Sequence, residues 1–456
     1  MTDVDVVVAG AGAAGCAAAA AAAQQGCSVL IVEAVETFQH SSNTAMSTAM
    51  VPAAGSRWQH DAGIDDSPDL YLSDILAKTK GSADEVVARA LVDEAPHLVE
   101  WLADSCQVPL SLVTEFTYPG HSRPRCHTVP DRAGATLHRY LLRAAREGSD
   151  LMVPARLATL EQAGSSSEWT VRVEVADSAE EVRARAVILA TNGFAANRER
   201  VTQMLPGIAG GMYFGGEGSV GTALDVAEQN GWQTSHLDAY QGHGSVAVPH
   251  GILATWALVM HGGIVVNDHA RRFADESLGY SEFAESILSQ DNGHGWLVFD
   301  ARIDGLCQVF ADHDRLTSAG AVRWAEDAAG LAEVTGLPDA ALRATLQDIQ
   351  DARVGRRPDE FGRTQWGEGL LPNYAAVRIT GALFHTQGGL RIDQRAQVLA
   401  DGAAVTGVLA AGGAAVGISG HGAGGYLAGN GLLAALGLGR IAGLTAAETC
   451  RGEDRS

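Results

Sequence analysis

The stretch Gly10-Ala-Gly12-Ala-Ala-Gly15 restricts this chain's fold more than any other. A valine-rich run, residues 4–8, precedes it, and an alanine-rich segment that closes near Gly26 follows. A second apolar run, Ser28–Val32, then ends on Glu33. Strand, glycine turn, helix and strand, with an acid about 20 residues past the turn, form a parallel βαβ unit shaped for a dinucleotide. Gly10 permits the tight turn, Gly12 lets the backbone reach a pyrophosphate, and Gly15 lets helix and strand approach closely. Ala14 sits in the first helical turn, where the helix N-terminus favours phosphate charge. Glu33 accepts a hydrogen bond from a ribose 2′-hydroxyl and repels a 2′-phosphate. NADP is thereby disfavoured, and FAD or NAD remain.

At 456 residues the chain exceeds what one core usually serves, so two domains are expected. The reading is an α/β fold in which residues 1–240 and 375–456 form the nucleotide domain and residues 241–374 a partly helical insertion. Strands are expected at Leu151–Leu160, Trp169–Val175 and residues 187–190, with a turn at 164–167. The last strand runs into Thr191-Asn-Gly193-Phe194. Leu331, Val334, Leu342, Leu346 and Ile349 recur at helical spacing within 315–352; Gly336 closes one helix and Pro338 opens the next. After Gly388–Asp393 come a strand at 408–411 and a closing helix over 431–444.

A formal net charge of −22 argues against nucleic-acid binding. Six cysteines without CxxC spacing suggest a reduced, cytoplasmic chain. No signal-type start is present, and glycines interrupt the C-terminal apolar run, so no membrane span is expected. The stretch His243–His261 matches no metal-ligand spacing, and no metal is expected.

Further segments carry a family resemblance: Asn43–Gly55 with residues 63–67, Ala190-Thr-Asn-Gly193, Gly262–Asn267 leading to Arg272-Phe273 and Asp275-Glu276, His385-Thr-Gln-Gly-Gly389, and Gly425–Asn430. Over nearly its whole length the chain resembles the fumarate reductase / 3-ketosteroid dehydrogenase group of flavoproteins. The resemblance implies FAD in a Rossmann-like, glutathione-reductase-like domain split by an α+β capping domain. It implies FAD contacts at Asn43, Thr44, Ser47, Thr48, Ala190, Thr191, Gly193, Gly412, Gly431 and Leu432. The final helix would aim its positive end at the flavin N1/C2=O. Asn43 stands where membrane-bound members carry a covalently flavinylated His, which implies non-covalent FAD. Gly413 stands where the group often has a ribityl-binding Glu.

The catalytic positions separate the two branches of the group. Where the fumarate reductases carry a proton-donating Arg and a substrate-binding Arg, this chain has Tyr280 and Tyr426. Their proton-relay positions fall on Trp256 and Val259, neither of which carries a proton. The 3-ketosteroid dehydrogenases have Tyr at both catalytic positions. By that resemblance Tyr280 is the base, and Tyr426 with the Asn430 N–H binds the ketone oxygen. A free Tyr is a poor base near neutrality, with a pKa of about 10. Donors on the carbonyl oxygen acidify the adjacent C–H at the moment of transfer. His243 and His385 fall where fumarate-type enzymes hold a carboxylate, a structural role being the competing reading. Arg123 and Arg125 sit on a loop that is either substrate-binding or simply solvated. Together these imply a dehydrogenase acting α,β to a ketone, in the narrowest form on a small cyclic keto acid such as 4-oxocyclohexanecarboxylate. The alternatives are a reductase of an activated C=C and a flavoprotein without turnover of its own. The sequence names no electron acceptor.

Overall fold

The computed structural model describes residues 2–163, 168–176 and 178–453; the turn expected at 164–167 lies outside the described residues. The chain divides into two units. The first comprises residues 1–205, 215–241 and 385–456, the second residues 206–214 and 242–384.

In chain order the first unit opens with β1 (Thr2–Ala9), α1 (Ala13–Gln24) and β2 (Val29–Val32), then α2 (Gly134–Arg146), β3 (Ser149–Met152), β4 (Arg156–Gln162), β5 (Trp169–Val175) and β6 (Ser178–Leu189). The second unit's elements include β7 (Tyr240–Ala247), β8 (Ile264–Val266), α3 (Tyr280–Leu288), β9 (His294–Asp300), β10 (Arg323–Ala325), α4 (Ala328–Thr335), α5 (Asp339–Arg353) and β11 (Tyr374–Thr386). The boundaries fall inside β7 and β11, whose outer residues belong to the first unit. The chain closes with β12 (Gln397–Ala400), β13 (Ala403–Ala410) and α6 (Asn430–Glu453).

The first sheet runs β12-β13-β6-β1-β2-β3, parallel from β13 to β3, with β4 and β5 joined antiparallel to β6. Central β1 buries Val6, Val7 and Val8 completely, as a parallel strand covered on both faces must. The single strand expected at Leu151–Leu160 is two. Its first part pairs with β2 and its second with β5, and they separate at Pro154, which has no N–H for a ladder. Strand β6 begins nine residues before its expected start at 187. Along its outer half Val182 and Ala184 are buried between exposed Glu181 and Arg183, an alternation that the charged residues mask in the sequence.

The second sheet centres on β11, flanked by β7 and β9. Its boundaries differ from the expected 241–374. Residues 375–384 stay in this unit because β11 pairs with β9 and β10, and Met212-Tyr213 joins it because it pairs with Ala382-Leu383. The helical stretch expected at 315–352 is interrupted by β10. Gly336 does close α4, at φ +79°, and Pro338 caps α5.

Helix α6 is also longer than the 431–444 expected. Among the described residues it is the one helix long and apolar enough to cross a membrane by length and composition, which the glycine-interrupted run was not expected to be. Most of that stretch is buried inside the protein. A Cβ at Gly439 would stand 2.4 Å from the Ala14 carbonyl oxygen, and one at Gly443 would stand 2.3 Å from that of Ala18. The glycines of α6 and the alanines of α1 thus let two backbones touch, which accounts for both runs.

Candidate active site

The glycine turn is closed on two sides and open on the third. Gly10 adopts φ +108°, and a Cβ there would stand 2.3 Å from the Ala190 oxygen; at Gly15 it would stand 1.8 Å from the Gly10 oxygen. At Gly12 the nearest atom is Thr44 Oγ1 at 3.5 Å, so this face stays free for a ligand. Thr44 Oγ1 accepts from Ala13 N at 2.9 Å, and the Ser47 hydroxyl donates to the Thr44 carbonyl at 2.8 Å. The Thr48 carbonyl accepts from Thr128, and Asn43 Oδ1 accepts from Gly216 N. Glu33 accepts from Ala11 N and Val35 N, each at 2.8 Å, which holds its carboxylate against the turn. His138, which sequence reasoning missed, donates from Nε2 to the Ala11 carbonyl at 2.7 Å and braces the turn from behind. Gly193 lies tight against Thr386, where a Cβ would stand 1.8 Å from Oγ1, and Gly412 at φ +63° faces Ala14 and α6.

Two buried polar atoms lack partners here, Thr191 Oγ1 at the end of β6 and Asn430 Nδ2 at the start of α6. Orphaned groups of this kind are rare without a ligand to satisfy them. Together with the open face at Gly12 they fit a dinucleotide carrying a polar ring system.

At the start of α6, Tyr426 is 7% exposed and Gly431 N donates to its hydroxyl at 3.4 Å. His385 stands across from them: a Cβ on Gly431 would lie 2.9 Å from His385 Nε2 and 3.4 Å from the Tyr426 oxygen. Leu432, half-buried, follows in the same turn. The expected donor, Asn430 N–H, is spent on the Leu427 carbonyl at 3.0 Å as the chain turns into the helix, and the next N–H, that of Gly431, goes to the Tyr426 oxygen, which leaves the Tyr426 proton to be donated elsewhere. The Asn430 carboxamide accepts from Tyr71 at 3.2 Å.

Tyr71 connects this cluster to Arg125 and corrects the substrate-binding role expected for that residue. The guanidinium lies 4.5 Å over the Tyr71 ring, bonded to Asp66 and Asp74 with its side chain 0% exposed. Arg125 therefore supports Tyr71 from behind. Arg123, on the exposed side of the loop, donates to the carbonyls of Asp65 and Ser122.

In the second unit His243 is sandwiched between Tyr280 (4.6 Å, 20°) and Phe384 (5.1 Å, 21°), with Trp256 edge-on at 5.9 Å. Ser245 gives its only proton to the Ala254 carbonyl at 2.6 Å, so its oxygen accepts from His243 Nδ1 at 3.1 Å. That fixes His243 with a bare lone pair on Nε2. Burial lowers its pKa to about 3. No sequence signal distinguishes Ser245 from other core serines. Tyr280 opens α3. Among the described residues no cluster of His, Cys, Asp and Glu could hold a metal ion.

Burial also lowers His121, His127 and His385 to about 4. In the unfolded chain these rings protonate near 6.5. Their contribution to stability is therefore complete above about pH 6.5 and is lost as pH falls from there towards 4, by up to about 1.4 kcal/mol per pH unit for each ring. Thermal melting should weaken steadily between pH 7 and 5. An unchanged melting temperature across that range would contradict the buried, neutral assignment.

A dinucleotide turn on a parallel sheet, a second unit inserted in the sequence and orphaned polar groups at a helix start define an FAD-type oxidoreductase. The chain belongs to the FAD binding domain family, which it matches over residues 5–432, and its cofactor is FAD. It is 29% identical to the NADH:fumarate oxidoreductase of Klebsiella pneumoniae (strain 342), across 98% of its own length; it spans about half (48%) of that protein. It is 26% identical to the 4-oxocyclohexanecarboxylate 2-dehydrogenase of Sinomonas cyclohexanicum, across 99% of this chain and 94% of that one. The fold matches the crystal structure of 3-ketosteroid-Δ4-(5α)-dehydrogenase from Rhodococcus jostii RHA1 in complex with 4-androstene-3,17-dione with a TM-score of 0.77 and 26% identity, across 98% and 97% of the two chains.

Proposed function

We propose that this enzyme dehydrogenates a ketone, removing a proton from the carbon beside the carbonyl and a hydride from the next carbon to leave a conjugated C=C. The observation that carries this reading is the convergence of two uncharged donors at the start of α6, the His385 ring and the Tyr426 hydroxyl, whose oxygen takes the Gly431 N–H and so leaves its own proton to give. Donors placed this way stabilise the negative charge that a ketone oxygen gains as its neighbouring C–H is broken. Tyr280 is the base, the residue type that the resemblance to ketone dehydrogenases implies at this position. Bound FAD supplies the acceptor for the hydride, and Asn43, whose carboxamide forms no flavin bond, leaves it non-covalent.

The narrower substrate, a small cyclic keto acid, takes its support from the Sinomonas relative. Arg123 is the exposed cation assigned to the carboxylate of such a molecule. The reverse reaction, reduction of an activated C=C, draws on the fumarate-reducing relative. We place the enzyme in the cytoplasm, a reading supported by six free cysteines.

Anaerobic mixing of the FAD-loaded protein with cyclic ketones, 4-oxocyclohexanecarboxylate among them, should bleach the flavin's visible absorbance. If no ketone bleaches it while unsaturated carboxylates reoxidise the reduced protein, the enzyme is a reductase.

A further inference from the structure

His385 is the one member of the α6 donor set whose chemistry is not fixed by covalent structure. A neutral imidazole carries its proton on either nitrogen, and only the Nε2–H form donates towards Gly431 and Tyr426. Its other nitrogen decides the matter. The Gln387 amide Nε2 lies 2.8 Å from His385 Nδ1, and an amide nitrogen has no lone pair to offer, so the proton between them is glutamine's. The competing partner of Nδ1, the Thr386 carbonyl, is farther away at 3.3 Å.

The orientation of the glutamine is itself imposed. Ser419, 1% exposed, donates to Gln387 Oε1 at 2.9 Å, which leaves the nitrogen facing the histidine. The backbone of Gln387 is pinned on both sides, with its N donating to the Ala239 carbonyl and its carbonyl accepting from Gly417 N, each at 2.8 Å. The side chain is 5% exposed, and a Cβ on Gly417 would stand 3.0 Å from Oε1, so the amide has little room to turn over.

We propose that Gln387, oriented by Ser419, is a positioning residue that holds His385 in its Nε2–H form as a second hydrogen-bond donor to the substrate's carbonyl oxygen, beside the Tyr426 hydroxyl. The role in turnover rests on the ketone reading above; the tautomer does not. A site so arranged selects an uncharged carbonyl oxygen, because every group facing it donates and none is a cation.

The test is long-range proton–nitrogen NMR on the FAD-loaded protein with 15N-labelled histidine rings, His385 being assigned by its loss in His385→Gln. In the wild type the Nε2 of His385 should be protonated and Nδ1 bare. Gln387→Glu keeps the shape and the Ser419 bond but places an oxygen, which only accepts, against Nδ1, so the proton should move to Nδ1. Turnover of whichever ketone bleaches the flavin should then fall about a hundredfold, the scale set by loss of one such donor. In Ser419→Ala the glutamine is released and the two ring forms should coexist. A wild-type His385 protonated on Nδ1, or a tautomer unmoved by Gln387→Glu, overturns the inference even if ketones are oxidised. Failure of every ketone, with the tautomer as stated, instead removes the ketone reading and leaves the relay standing.

Discussion

Tyr426→Phe is expected to fold, bind FAD and melt like the wild type, yet to lose turnover by about 10²–10³-fold, the usual consequence of removing one donor from an oxyanion site. The ring is 7% exposed, and phenylalanine fills the same volume, so packing changes little. The bond from Gly431 N, lost in this variant, is weak at 3.4 Å and contributes little to stability. The loss should appear in kcat and in kcat/KM together, because the interaction is made fully only as charge develops on the oxygen. Steady-state kinetics, flavin absorbance and a melting curve on one preparation separate these effects. Wild-type kcat in this variant would remove the oxyanion role from α6 altogether. A rise in KM alone would reduce Tyr426 to an ordinary binding contact.

The dinucleotide half of this enzyme is legible in the sequence because its constraints are local. Gly10, Gly12 and Gly15 lie within six residues; Gly10 is required by an atom at the end of the neighbouring strand and Gly15 by one a short way along the chain, while Gly12 keeps a face open for the ligand. What the sequence hides is nonlocal. Arg125 looks like its neighbour Arg123, yet it is buried because Asp66 and Asp74 reach it from 59 and 51 residues away. Counting along a motif places the oxyanion N–H at Asn430, but the chain is still turning into α6 there, and that N–H goes to the Leu427 carbonyl while the next one goes to the Tyr426 oxygen. The second unit keeps residues 375–384 because strands on both sides pair with β11, and strand pairing leaves no mark at the boundary itself. His243 was visible as a histidine, whereas the tautomer it holds depends on which atom receives the Ser245 proton.

The largest effect on stability is expected at Glu276, and it should reach the chemistry through Tyr280. Glu276 is 0% exposed and accepts from Arg272 at 2.8 and 2.7 Å, from Arg363 at 3.3 Å and from Val265 N at 3.1 Å. Arg272 also pairs with Asp359, so two buried cations are balanced by two carboxylates. Glu276→Gln leaves one guanidinium charge uncompensated in the second unit, a change that costs about 3–5 kcal/mol when a buried pair is broken from one side. Arg363 cannot escape to water easily, since it also donates to the carbonyls of Val259, Gly263 and Gln365. The same carboxylate anchors the short 3-10 turn Glu276–Leu278, after which Gly279 at φ +151° releases the chain into α3 with Tyr280 as its first residue. Loosening that anchor displaces the proposed base while leaving the glycine turn and α6, which lie in the other unit, untouched. Glu276→Gln should therefore retain FAD, lose turnover, and show a denaturation transition at lower urea, with early proteolytic cuts confined to residues 206–214 and 242–384. An unchanged denaturation midpoint would mean that the second unit neutralises Arg363 by some other group, and that Tyr280 is held by contacts such as its ring stack on His243 instead of by the Glu276 turn.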